Sequence, residues 1–149
     1  MYCFEYDNDF LRILSFFKKN DSEFIPPLSQ RVDIVNYSNK LSSNAINIFV
    51  CEKRNDIGHA GLYINDEKNR IAFLSSICVK YKNRRDGIAQ QLMDEIIISA
   101  ENYNMERIDL EVYNGNIRAI RFYQKLGFKF IGEKGSINLV MTKYITNTI

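Results

Sequence analysis

Several features that assign chains to a class are missing here. Lys and Arg outnumber Asp and Glu by only two, for a net charge of +2, and no long basic run concentrates the excess. That argues against nucleic acid as the main partner. No marked acidic run is present either, of the kind that holds a polycationic aminoglycoside or polyamine. Cys3, Cys51 and Cys78 are an odd number without metal-type spacing, and Cys78 lies in an apolar run, so three reduced thiols in a cytoplasmic, metal-free protein are expected. No apolar run reaches the length of a membrane span, and Glu5, Asp7 and Asp9 stand where an export signal carries basic residues, so neither membrane nor export is expected. No repeat, low-complexity segment or linker interrupts the 149 residues, and one domain over residues 1–149 is expected, long enough for a real core. The balance of 46% hydrophobic and 26% charged residues is that of a soluble globular chain; a monomer or a homodimer is expected.

What is present centres on Ser75 to Met93, SSICVKYKNRRDGIAQQLM. Ile77, Cys78 and Val79 close an apolar run from Ile71, rich enough in β-branched residues to be a strand. Ile88, Leu92, Met93, Ile96, Ile97 and Ala100 then recur at helical spacing, so a helix begins near Asp86 or Gly87. The first turn of a helix offers unpartnered N–H groups and about half a positive charge. Gly87 and Ala89 let an anion approach that backbone closely, and Arg84 and Arg85 add permanent charge, so the turn reads as a phosphate site. An ordinary strand–turn–helix with solvated arginines is the other reading.

In chain order, Met1 to Tyr6 reads as a strand. Asp7 or Asn8 then caps a helix that presents Phe10, Leu11, Leu14 and Phe17 on one face and ends near Asn20. Arg31 to Leu41 is a weaker helix with Val32, Val35 and Leu41 inward. Ala45–Glu52 and Gly58–Ile64 form a hairpin about Arg54-Asn55-Asp56, and a turn at Asp66 to Asn69 leads into Arg70–Val79. After the long helix come a strand at Arg107–Tyr113, a helix at Asn116–Leu126 closed by Gly127, and a strand pair, Phe128–Ile131 with Ile137–Tyr144. The strand–helix–strand unit from Ile71 to Val112 implies one parallel pair in an otherwise antiparallel sheet.

Arg84 to Ala89, RRDGIA, resembles the Gln/Arg-x-x-Gly-x-Gly/Ala signature of the GCN5-related N-acetyltransferases. Asn116, Ala119, Phe122, Tyr123, Gly127 and Phe128, in NGNIRAIRFYQKLGF, resemble that family's second block. The resemblance implies an α+β, α/β/α-layered fold: a mixed, mostly antiparallel sheet of six or seven strands, about four helices, and a parallel pair splayed to admit acetyl-CoA. It implies cofactor contacts from Ile77, Cys78 and Val79, from Arg84, Arg85, Asp86, Gly87, Ile88, Ala89 and Gln90, and from Asn116, Ala119, Phe122 and Tyr123. A backbone N–H near Ile77 to Val79 would polarise the thioester, and Tyr123 would protonate the departing thiolate.

Asn116 is equally an N-cap, and Tyr123 equally a packing aromatic. Many members carry a glutamate four residues before the strand-ending valine, where this chain has Ser75. Glu111, within Leu-Glu-Val, resembles the glutamate proposed as base in ribosomal-protein alanine N-acetyltransferases; an outward surface charge is the alternative. The lone histidine, His59, reads as structural, and a cysteine relay through Cys78 is not expected. The amine should lie against the first two helices and the hairpin, with Phe24 to Pro27 as a stiff edge and Tyr37 and Tyr63 within reach. The implied activity is acetyl transfer to a small amine or amino sugar; the alternatives are acetylation of protein N-termini or lysines, and a non-catalytic coenzyme A binder.

Overall fold

A computed structural model describes residues 2–145, the side chain of Arg85 excepted. Seven strands form one sheet: β1 (Cys3–Tyr6), β2 (Ile46–Glu52), β3 (Asn55–Asp66), β4 (Ile71–Val79), β5 (Arg107–Tyr113), β6 (Lys129–Lys134) and β7 (Asn138–Tyr144). Their order is β1-β2-β3-β4-β5-β7-β6, antiparallel throughout except for β4 beside β5. The helices are α1 (Phe10–Lys19), α2 (Ile34–Asn44), α3 (Ile88–Asn102) and α4 (Ile117–Lys125). No helix among the described residues is long and apolar enough to cross a membrane.

Strand alternation sends one set of side chains to each face, and the two faces carry different cores. Ile48, Val50, Ala60 and Leu62 pack with Ile88, Leu92, Met93 and Ile96 of α3 and Ile120 of α4 into an aliphatic layer. Phe49 packs on the other side with Ile13, Phe16 and Phe17 of α1 and Leu41 of α2 into an aromatic one.

Two helices differ from their expected forms. Asp9, not Asp7 or Asn8, caps α1 by accepting the Arg12 N–H at 2.9 Å. The buried stripe is Ile13, Phe16 and Phe17, while Leu11 is 68% exposed. Arg12 explains the rotation: its guanidinium lies over Phe49 and pairs with Asp56, which turns the next residues inward. Likewise α2 starts only after Asp33, which accepts the Asn36 N–H, and leaves Val35 exposed. The hairpin turn is Lys53-Arg54, both left-handed at φ 50° and 68°, with Glu52 paired to Asn55. That is a two-residue loop of the kind Asn-Gly usually marks.

The feature that positions the site is a β-bulge in β4. Gly61 pairs with Ser76 and Leu62 with Leu74, so Ser75 is the extra residue. It resets the alternation: Ala72 and Leu74 face the aliphatic core before it, Ile77 and Val79 after it, and Cys78 turns to the aromatic side. The β4–β5 ladder stops at the same place, with Leu74 opposite Leu110 as its last pair. Beyond it β4 stays with β3 as far as Val79 and β5 stays with β7 as far as Tyr113, so the two strands part in mid-sheet.

Candidate active site

A cavity of about 360 Å³ occupies the gap where β4 and β5 diverge. The β4 edge from Ser75 to Val79 faces it without a strand partner, and side chains rather than a strand engage its end carbonyls, the Tyr37 hydroxyl at Ser75 and Arg84 Nε at Val79.

At one end lies the first turn of α3. Asp9, Asp33 and Asn116 cap the other three α-helices with a side-chain oxygen, whereas α3 has no side-chain cap. Its N-cap is Gly87 at φ 73°, a conformation that suits glycine, and nothing lies within 4 Å of where a Cβ would project. Gly87, Ala89 and Gln90 line the cavity, so uncapped N–H groups and the positive end of the helix dipole meet open space.

Arg84 also lines the cavity, but its guanidinium is engaged. Nε donates to the Val79 carbonyl at 2.8 Å, and Nη2 reaches the Glu23 carbonyl at 3.3 Å and carboxylate at 3.2 Å. The other Glu23 carboxylate oxygen accepts the Tyr81 N–H at 3.1 Å, so the pair clamps the end of β4 to the α1–α2 connection. Asp86 accepts the Tyr2 hydroxyl at 2.6 Å, and Ile88 is fully buried in the aliphatic core; neither lines the cavity. The Arg85 side chain lies outside the described residues.

On α4, Asn116 accepts the Ala119 N–H at 3.3 Å as N-cap and also lines the cavity, as do Ala119, Phe122 and Tyr123. Tyr123 is 9% exposed, its ring 5.6 Å from Phe122 and 5.7 Å from Phe128. Burial holds its phenol well above the usual tyrosine range, so it stays protonated, and among the described residues nothing hydrogen-bonds its hydroxyl. Ile77, Cys78 and Val79 complete this wall. Burial pushes the Cys78 thiol up to about 12, which leaves no thiolate for a relay at neutral pH.

The opposite end faces the α1–α2 side. Ile108, Leu110 and Val112 of β5 enter the aliphatic core, so Glu111 and Tyr113 project the other way. Glu111 lines the cavity 3.2 Å from Lys134, itself 71% exposed, so that ion pair is weak. Phe24, Ile25 and Arg31 close the rim. The Ser75 hydroxyl is 2.6 Å from that of Tyr37, which burial raises to about 12 and which stacks on Phe17.

His59 is elsewhere. It is fully buried among Phe16, Phe17 and Phe49, with Nε2 2.9 Å from Asn47 Oδ1, and burial lowers it to about 3. Tyr63 also lies off the cavity, its hydroxyl buried without a hydrogen-bond partner among the described residues. Among the cavity residues that escaped the sequence reading are Glu23, Arg31, Tyr113 and Arg118. Strand alternation after Glu111 was a usable signal for Tyr113, and proximity to Asn116 for Arg118. Glu23 and Arg31 sit in a connection without periodicity.

The model described as the acetyltransferase (GNAT) family matches residues 11–128. A spermine/spermidine N(1)-acetyltransferase of Bacillus subtilis is 35% identical over 72 residues, covering 48% of this chain and 47% of that protein. The L-amino acid N-acetyltransferase AaaT of Escherichia coli is 30% identical over 100 residues, 66% of this chain and 62% of that one. The chain thus spans about half the length of the first and somewhat more of the second. Among solved structures, the PaiA N-acetyltransferase from Thermoplasma acidophilum in complex with coenzyme A superposes with a TM-score of 0.75 at 17% identity, over 95% of this chain and 99% of that one.

Proposed function

Because the chain belongs to the GNAT acetyltransferase family, we propose that it transfers an acetyl group from acetyl-CoA to a primary amine by direct attack within the cavity. The observation that carries this is the parting of β4 and β5 beside α3, the one α-helix among the described residues without a side-chain cap. The cavity fits the cofactor: an uncapped N-terminus with an open glycine suits a pyrophosphate, and a narrow gap edged by free backbone suits a pantetheine arm.

Acetyl-CoA supplies an acyl group activated as a thioester. The chain's own task is to bind and to move protons. Backbone N–H groups on the β4 edge between Ile77 and Val79 face the thioester oxygen, where charge develops. Tyr123 gives its Oη proton to the departing sulfur. The burial that keeps Tyr123 protonated also raises a thiol in this wall, as it does Cys78, so a thiolate released there is a stronger base than in water.

At the other end Glu111 receives a proton from the incoming ammonium. A primary amine with a pKa near 10.4 is neutral in only about one part in a few thousand at pH 7, so this step matters. Besides Arg84, which Glu23 and the Val79 carbonyl engage, Arg31 and Arg118 line the cavity. They disfavour a polycation and favour a small amine, such as an amino sugar or a metabolite amine.

Tyr123→Phe tests the reading. With acetyl-CoA binding intact, kcat should fall about 10²-fold. Full activity in that variant removes the proton-donor role. Turnover with no amine in a broad panel points instead to a non-catalytic coenzyme A binder.

A further inference from the structure

The proposed reaction uses none of the residues around the edge strand β1, where two of the three cysteines meet. Cys3 of β1 stands directly opposite Cys51 of β2 in the antiparallel register. Opposed residues of such a pair have Cα atoms roughly 4.5 or 5.5 Å apart, both within the span a disulfide bridges, and project from the same face. The two sulfurs and a Glu5 carboxylate oxygen all lie within 4.8 Å of one another. Cys3 is exposed, Cys51 is buried, and Cys78 is buried two strands away.

A soft cation does not suit this triad, because a positive charge already holds its centre. Arg12 Nη2 is 3.0 Å from Cys51 Sγ and 2.9 Å from Glu5. What remains is a thiol pair with a donor and a base in place. The Cys51 S–H points at Asp56 Oδ1, 3.3 Å away, while the Arg12 guanidinium faces the sulfur on which charge would develop.

We infer that Cys3 and Cys51 form a thiol–disulfide modification site whose co-reactant is a low-molecular-weight disulfide. The exposed Cys3 thiolate attacks one sulfur of that disulfide, forming a mixed disulfide and expelling one small thiolate. The Cys51 sulfur then attacks Cys3 Sγ, its proton passing to Asp56, and the second small thiolate leaves and takes up a proton. Two protein thiols lose two protons and two electrons in all, and the small disulfide gains both as two thiols. Burial pushes the Cys51 thiol up to about 12, which makes it the resolving thiol and Cys3 the one that reacts first. The new bond would staple the edge strand to β2, one residue from Tyr2, whose hydroxyl reaches Asp86 beside the uncapped turn of α3.

The test is incubation of the full chain with oxidised glutathione, followed by digestion without reduction and mass spectrometry. The expected result is a cross-linked pair of peptides carrying Cys3 and Cys51, with Cys78 unmodified. The melting temperature should rise by several degrees, because the cross-link closes a loop of roughly 50 residues. Dithiothreitol should reverse that rise, and the exposed-site variant Cys3→Ser should lack it. A stable glutathione adduct on Cys3 with Cys51 still free, dimers linked through Cys3, or no modification at either residue would each overturn the assignment.

Discussion

Where the cavity meets α3, its walls are mostly backbone: the uncapped first turn, Gly87 at φ 73°, and the unpaired edge of β4. Where it meets the α1–α2 side, its walls are side chains, with Glu111, Tyr113, Arg31 and Phe24 drawn from a strand and an irregular connection. The difference matters for how each end can vary. Recognition by backbone needs a particular φ at a particular place, and few sequences supply it. Recognition by side chains needs only that something suitable projects into the space, so one scaffold can meet many acceptors.

That division can be broken by substitutions at each end. The largest effect is expected from Glu111→Gln, which should lower kcat/KM about 10²-fold at neutral pH, with acetyl-CoA affinity unchanged. The deficit should shrink as pH rises and more of the amine is already neutral, so a rate profile over pH checks it. Next is Gly87→Val, which forces a β-branched residue into the left-handed region at about 1–2 kcal/mol. Acetyl-CoA binding measured by calorimetry should weaken roughly tenfold.

Arg31→Gln should do the reverse, leaving acetyl-CoA affinity within about twofold while the acceptor KM moves several-fold. Equal losses of acetyl-CoA affinity in Gly87→Val and Arg31→Gln would erase the distinction between the ends.

The smallest effect concerns the cores beneath the two ends. His59 is buried neutral in the aromatic layer and lowered to about 3, so below its ordinary pKa of 6.5 the unfolded chain binds a proton that the folded chain refuses. Stability should therefore fall as pH drops from about 6.5 towards 3. His59→Gln, followed by thermal melts, should remove the part of that fall lying above about pH 5, where carboxylates still contribute little.

The same contrast governs what could be read beforehand. The strand feeding a glycine turn and a long helix was legible, because apolar periodicity and Gly87 are direct signatures of backbone geometry. The parallel pair followed from the strand–helix–strand crossover, and the seven strands form the expected mixed sheet with one parallel pair. The hairpin turn was misplaced because Lys53-Arg54 adopts positive φ without the glycine or asparagine that usually reports it. The face of α1 was misjudged because Arg12, a polar residue, fixes its rotation through Asp56 and Phe49.

No local pattern announces the bulge at Ser75, since a bulge is a relation between two strands. Glu23 and Arg31 were missed for a similar reason: they reach the cavity only through the path of an irregular connection. Glu23 in addition engages Arg84, a residue whose charge the sequence alone assigns either to a ligand or to solvent.

A sheet that divides in its middle acquires two more borders than its ends provide, and an open border is a template on which another chain's strand can grow. In this protein the additional border on β4 is only Ser75 to Val79 long, it carries a bulge at its start, and side chains of α3 and α4 line the same cavity. A narrow ligand can thread such a slot, whereas an extended polypeptide with side chains on both faces cannot lie flat in it. The geometry that makes room for small-molecule chemistry thus also guards the protein against self-association through its own interior.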